Sequence, residues 1–213
     1  MDGFSKTCVA VLAGGASVRM GAPKLLVPFA GSTLLDRALD AAAGCAADIA
    51  VVVTGAYHNE IVAHLKGRGR EDVAGQTPCR VLRNRRWDAG QASSVHAAVR
   101  FARAQGTTAL LVMVADQPYV TAAHLNALLW EYDQGRAQAY LAANDQRHGN
   151  PAIFDRSLFD DLLALEGDEG ARALFRARRD IAARHVHFDE PHLFDDVDTP
   201  ADLRRLEEAM GRG

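Results

Sequence analysis

Residues 8–24 read Cys8-Val9-Ala10-Val11-Leu12-Ala13-Gly14-Gly15-Ala16-Ser17-Val18-Arg19-Met20-Gly21-Ala22-Pro23-Lys24, an apolar run that breaks at paired glycines and then carries one arginine and one lysine. The run Cys8 to Leu12 predicts a buried strand. Paired glycines let backbone N–H groups approach an anion with no Cβ in the way. Arg19 with its planar fork and Lys24 as a compact point charge are then placed to clamp a triphosphate. The spacing before Lys24, and the lack of Ser or Thr after it, exclude a Walker loop. A dinucleotide fingerprint is excluded too, because it needs a third glycine spaced to open a helix. A glycine pair alone would be an ordinary turn; Arg19, Gly21 and Lys24 give this one its chemistry.

Outward from this stretch, short β-branched apolar runs alternate with segments of helical period. That alternation predicts an α/β fold with a mostly parallel central sheet and helices on both faces. A helix is expected from about Thr33 to Ala43, stopped at Gly44, then a strand at Ile49 to Thr54 and a helix at Glu60 to Lys66. Gly67 to Pro78 reads as a surface loop. Arg80 to Leu82 is a short strand, Ser93 to Gln105 a helix, and Ala109 to Val114 a fully apolar strand ending at Ala115-Asp116-Gln117-Pro118. A carboxylate there faces the crevice where such sheets bind ligands. Ala122 to Tyr132 is an amphipathic helix packing Leu125, Leu128 and Leu129. Ala137 to Ala142 and Ala152 to Phe154 are expected as strands around a turn centred on His148-Gly149-Asn150. Thr199 caps a closing helix to Met210, with Pro200 at its first position.

The 213 residues suit one domain, 1–213, and 48% hydrophobic with 24% charged residues is ordinary globular composition. A formal net charge of −3 argues against a nucleic-acid binder. Arg176, Arg178 and Arg179 interleave with Ala and Leu as on a solvated helix face. Three cysteines, Cys8, Cys45 and Cys79, lack zinc or disulfide spacing and read as reduced thiols. Met1 to Thr7 is too short and polar for a signal peptide, and no apolar run is membrane-sized, so the expected compartment is the cytoplasm. His185, His187 and His192 lack the spacing of a helical zinc site and read as a solvated strand edge.

The run L-A-G-G-x-S-x-R-M-G-x-P-K-L-L resembles the opening of the molybdenum-cofactor nucleotidyltransferases, the cytidylyltransferase and guanylyltransferase family of molybdopterin dinucleotide synthesis. The resemblance continues through Asn84-x-x-Trp87-x-x-Gly90-x-x-x-Ser94, Asp116-Gln117-Pro118, Gly149-Asn150-Pro151-Ala152, Gly167-Asp168-x-Gly170-Ala171-Arg172 and Asp196-Val197-Asp198-Thr199-Pro200, in that order along almost the whole chain.

The resemblance implies a Rossmann-like fold, a nucleoside triphosphate and Mg²⁺. Arg19, Lys24 and Asp116 are the implied catalytic residues, with Leu12, Ala13, Gly14, Gly15, Arg19, Lys24, Asn84, Gly90 and Ser94 around the nucleotide. Asp116 suits Mg²⁺ as a hard oxygen ligand. Asp198 is either a second ligand or a helix cap. Ser93 and Ser94 meet a base or ribose or else cap a helix, and Trp87 stacks on a ring or packs its loop. His148, Gly149, Asn150 and Asp168 are placed toward the acceptor, with an exposed turn histidine as the alternative for His148 and a cap on the helix that carries Arg172 as the alternative for Asp168. The implied reaction moves a nucleoside monophosphate from CTP, or from GTP, to the terminal phosphate of a molybdopterin-type acceptor. A molybdenum hydroxylase is the implied client. Another phosphorylated acceptor, or a non-catalytic cofactor carrier or chaperone, stands as the alternative. A dehydrogenase is disfavoured, because its acidic ribose ligand should end the second strand, which ends in Thr54-Gly55.

Overall fold

A strand covered by helices on both faces needs apolar side chains on both faces, which is why these strands read as unbroken apolar runs. The computed structural model of the protein describes residues 6–69, 73–74 and 77–211. β1 (Thr7–Ala13) leads through short 3-10 turns at Val18–Met20 and Lys24–Leu26 to a small hairpin, β2 (Pro28–Phe29) and β3 (Ser32–Thr33). Next come α1 (Leu34–Ala43), β4 (Ile49–Thr54), α2 (His58–Gly67), β5 (Val73–Ala74), β6 (Thr77–Arg83) and α3 (Gln91–Ala104). β7 (Ala109–Val114), α4 (Ala122–Gln134), β8 (Ala139–Ala143), β9 (His148–Asp155) and α5 (Phe159–Leu163) follow. α6 (Leu174–Ala177), β10 (Ala183–His187) and α7 (Pro200–Met210) complete the order.

The main sheet runs β10-β8-β9-β7-β1-β4-β6-β5. β1 pairs in parallel with β4 on one side, Cys8 opposite Ile49, and with β7 on the other, Thr7 opposite Ala109. From β1 the chain winds outward through β4 and β6, then returns across the sheet to β7. The winding direction therefore reverses between β1 and β7, and ligands bind sheets of this kind in the crevice beyond the strand ends at such a reversal. Gly14 follows directly on the end of β1, and Asp116 comes one residue beyond the end of β7. β9 runs antiparallel to both β7 and β8, so its first residues lie at the crevice end, where its neighbours finish.

Side chains of β1 alternate between two cores. Val9, Val11 and Ala13 pack with α1 and α4, while Cys8, Ala10 and Leu12 pack with α3 and α5. Leu125 and Leu128 are fully buried and Leu129 nearly so. Thr33 caps α1 by accepting from the Asp36 N–H, and Thr199 caps α7 in a reciprocal box with Asp202. Cys8, Cys45 and Cys79 are free and buried, and burial pushes the Cys8 thiol up to about 12. Among the described residues no helix is long and apolar enough to cross a membrane.

The structure corrects several expectations. The turn between β8 and β9 is not centred on His148-Gly149-Asn150; it spans 144–147, where the Asn144 side chain accepts from the N–H groups of Gln146 and Arg147. An asparagine that bonds the backbone two and three residues on makes its own turn, so His148 to Asn150 join β9. The helix face inferred from Arg176, Arg178 and Arg179 is a single turn, α6, which gives way to the edge strand β10. Arg178 leaves the helix to pair with Asp161 and Asp180. The loop expected at Gly67 to Pro78 contains β5 and the start of β6. Its residues 70–72 and 75–76, and residues 1–5 of the stretch read at the N-terminus, lie outside the described residues.

Candidate active site

Beyond the end of β1 the chain must turn sharply, and Ser17 and Gly21 do so in left-handed backbone conformations. This returns Lys24 to the crevice, where its N–H donates to the Ser17 hydroxyl at 3.2 Å. Its ammonium lies 2.7 Å from Asp116 Oδ2 and 2.9 Å from Asp198 Oδ1. Arg19 reaches the other oxygen of Asp198 at 2.7 Å from a largely exposed position. Burial alone would lower the Lys24 pKa, but the two carboxylates outweigh it and hold the ammonium above its ordinary value. Asp198 is brought beside Asp116 by the backbone, since Val197 N–H donates to Asp116 O at 3.0 Å.

These groups line a cleft of about 550 Å³ with Leu12, Ala13, Gly15 and Asp168. A second cleft of about 590 Å³ is lined by Gln117, Arg147, His148, Asn150, Arg172 and Asp196. Asp116 belongs to both and forms the wall between them. Buried oxygens of Gln117 and Asn150 in the second cleft have no hydrogen-bond partner, and a buried polar atom in that condition is ordinarily satisfied by something that binds. Desolvation in the cleft, then the charges of Asp116 and Asp198, push the Asp196 carboxyl up to about 6, although the residue keeps an exposed edge.

The sequence readings are brought together unevenly. Arg19, Lys24, Asp116 and Asp198 converge, and Thr199, not Asp198, caps α7. Gly149 lies against Arg172, whose guanidinium donates to His148 O at 3.2 Å. His148 is exposed and stacks on His185 with ring centroids 4.7 Å apart. Asp168 is not grouped with His148; it lines the first cleft. The cause is a close backbone contact: Gly90, at φ +95°, has no room for a Cβ, which would fall 2.2 Å from Gly167. Ala92 N–H also donates to Gly167 O at 3.0 Å, so the 167–168 segment is pinned over the start of α3. Asn84 donates to the hydroxyls of Ser93 and Ser94, and Ser94 Oγ stands against Gly14. Asn84 and Ser94 therefore support the glycine turn from behind. Trp87 stays on its loop, 38% exposed. Gln117, Arg147, Arg172 and Asp196 were not singled out from sequence. Each sits within or beside a quoted motif, which was the available signal.

Arg147 is held in the second cleft by Asp195, which also accepts from Arg205 at 3.2 Å and bonds His192 at 2.9 Å. Burial favours the neutral acid, but His192, Arg147 and Arg205 outweigh it and bring the Asp195 carboxyl down to about 2. The folded value lies below the ordinary 3.8, so the associated stability is full above that pH and is lost as the pH falls toward 2. Asp195→Asn is expected to cost about 1 kcal/mol near neutral pH, a figure reduced for solvent screening. Thermal melts at about pH 7 and pH 2.5 should show the difference shrinking at the lower pH. An equal deficit at both would refute the linkage.

The doubly wound sheet, with its binding crevice at the reversal between β1 and β7, is the Rossmann-like fold of nucleotidyltransferases. Residues 9–184 match the MobA-like NTP transferase domain, and the chain belongs to that family. It is 31% identical to the purine catabolism protein PucB of Bacillus subtilis, over 93% of this chain and 95% of that one. It is 29% identical to nicotine blue oxidoreductase of Paenarthrobacter nicotinovorans, over 92% and 94% of the respective chains. The crystal structure of Rv0371c from Mycobacterium tuberculosis in complex with manganese superposes with a TM-score of 0.74 at 27% identity, covering 96% of this chain and 98% of that one.

Proposed function

We propose that this nucleotidyltransferase moves a nucleoside monophosphate from a triphosphate, CTP in preference to GTP, to the terminal phosphate of a molybdopterin-type cofactor. The observation that carries the reading is Asp116 standing between two clefts, one glycine-lined and carrying Arg19 and Lys24 beside carboxylates, the other supplied with Arg147, Arg172 and unpartnered amide oxygens. The triphosphate occupies the first cleft and the acceptor phosphate meets Arg147 and Arg172 in the second, where the amide oxygens of Gln117 and Asn150 accept from N–H or O–H groups of the acceptor's body. A further cavity of about 640 Å³ continues from the second through His148 and Arg172, giving room for the body of the acceptor. The motifs of the Asn84 to Ser94 segment and of Gly167 to Arg172 support the choice of CTP, while Ala13-Gly14-Gly15 keeps GTP as the competitor. A molybdenum hydroxylase is the proposed client.

The acceptor phosphate oxygen attacks the α-phosphorus in line. A new P–O bond forms as the bond to the bridging oxygen breaks, and pyrophosphate leaves with the electron pair. No protein nucleophile is required, because positioning and charge neutralisation dominate this chemistry. Arg19 and Lys24 neutralise charge on the α-phosphoryl group and the leaving pyrophosphate. Asp116 and Asp198, hard oxygen donors that both stand within 3 Å of the Lys24 ammonium, are the residues that would hold a divalent cation beside that lysine. Among the described residues no cluster of three or more His, Cys, Asp or Glu is arranged to hold a metal. Mg²⁺ takes one or two carboxylates and completes its shell with substrate phosphates and water, so these two residues suffice as the protein's share. When bound, such an ion supplies Lewis-acid polarisation of the phosphoryl oxygens. A dehydrogenase reading has less support, since Thr54 at the end of β4 is occupied with Leu82 O and His58 rather than offering an acid to a ribose.

The test is incubation with each triphosphate, Mg²⁺ and a molybdopterin-type acceptor, following pyrophosphate release and the mass of the dinucleotide product. Release that does not depend on the acceptor, or none with any triphosphate, would refute the proposal. A sharper check uses Gly15, which lines the first cleft and where an added Cβ meets nothing within 4 Å beyond its chain neighbours. Gly15→Ala is expected to melt like the parent while raising the KM for triphosphate roughly tenfold. An unchanged KM would place the phosphates elsewhere.

A further inference from the structure

A cavity of about 810 Å³ lies between the end of β6, the outward face of α3 and the segment after α5; it shares no lining residue with either reaction cleft, although Asn84, Ser93 and Gly167, which lie behind the glycine turn, line its near side. Its rim carries Arg83, Arg85, Arg86 and Arg100. None of these forms an ion pair with a carboxylate among the described residues, whereas Arg103, one turn further along α3, is paired with Asp160 at 2.7 Å. Glu166 is the one carboxylate that lines the space. Four guanidinium groups around one opening repel each other, and an anion relieves that repulsion through charge-assisted hydrogen bonds. The floor is different in character, formed by Leu82, Ala97, Phe101, Leu163 and Leu165. His96 also lines it, and its buried Nε2 has no hydrogen-bond partner. Burial, together with the charges of Arg100 and Arg86, holds that imidazole below its ordinary pKa, although the backbone at Leu165 pulls the other way.

We propose that this cavity binds a small amphipathic anion, a flat apolar group bearing a phosphate, sulfonate or carboxylate, at a site separate from the one that transfers nucleotides. The apolar body rests on the floor between α3 and the 163–165 segment. The charged group meets the arginine rim.

Anilinonaphthalene sulfonate, flat rings with one sulfonate, is a suitable probe for the full chain by fluorescence and calorimetry. Expected are saturable binding at one site and no displacement by saturating CTP with Mg²⁺. The pair Arg83→Glu and Arg100→Glu should weaken binding about tenfold or more, with triphosphate turnover and melting temperature retained. Ala97→Phe, which fills the floor without touching charge, should weaken it as well. Inorganic phosphate alone should bind at least about tenfold more weakly than the probe, because it lacks the apolar body. Undiminished binding in either variant would overturn the proposal, as would displacement by CTP. Phosphate binding as tightly as the probe would overturn its apolar half.

Discussion

Lys24→Ala should lower kcat by about 10²–10³-fold with saturating triphosphate, the size of loss seen when one preorganised charge is removed from a phosphoryl or oxyanion site. The Lys24 residue is nine-tenths covered and its ammonium lies within 3 Å of two carboxylates, so its charge acts in a partly desolvated space. Its removal leaves Asp116, Asp198 and the neighbouring Asp196 to repel one another. The cleft is open to water on one side, however, and this limits the loss of stability to below about 2 kcal/mol. Steady-state kinetics beside a thermal melt separates the two effects. Lys24→Arg should not restore turnover, since a planar fork cannot stand as a point charge between two carboxylates. Normal turnover in Lys24→Ala would remove this residue from the chemistry.

Asp116→Asn is the second large effect. The amide keeps the shape of the carboxylate but loses its charge, and it weakens both roles of the wall between the clefts. We expect the Mg²⁺ concentration needed for half-maximal turnover to rise about 10–100-fold, with kcat/KM lower by a similar or greater factor. The expected signature is partial recovery at high Mg²⁺ or with Mn²⁺. Asp198→Asn should follow the same pattern more mildly, because Asp198 also engages the exposed Arg19. A metal titration superimposable on that of the parent would show that Asp116 does not hold the ion.

Much of this was legible in the chain because the decisive signals are local. The apolar run before Gly14 and the one before Asp116 each mark a strand end, and parallel pairing carries both ends to the same edge. The lysine lies close enough in sequence to the glycine turn to be read with it. The second cleft was less legible, because it gathers residues from the end of β7, the β8–β9 turn, the segment before α6 and the one before α7. No spacing within the chain announces that Arg147, Arg172 and Asp196 share a space. The place of Asp168 beside the first cleft was illegible for a related reason. Its position depends on Gly167 resting against Gly90, far away in sequence, and propensity carries no record of such a contact. The helix at Thr33 to Ala43 and its cap were readable because capping is decided within four residues.

The reversed strand β9 gives the molecule a seam. To one side of it, the loop after β1 and the end of β7 are tied into both hydrophobic cores, and change there is costly. To the other side, turn residues 144–147 border the second cleft through Gln146 and Arg147, and Arg147 alone of these two is anchored, by Asp195 and Phe194. If the second cleft takes the recipient as proposed, lengthening or exchanging that turn refits the enzyme to a new recipient while its grip on the donor stays intact, a route by which one scaffold diversifies among neighbouring metabolic tasks.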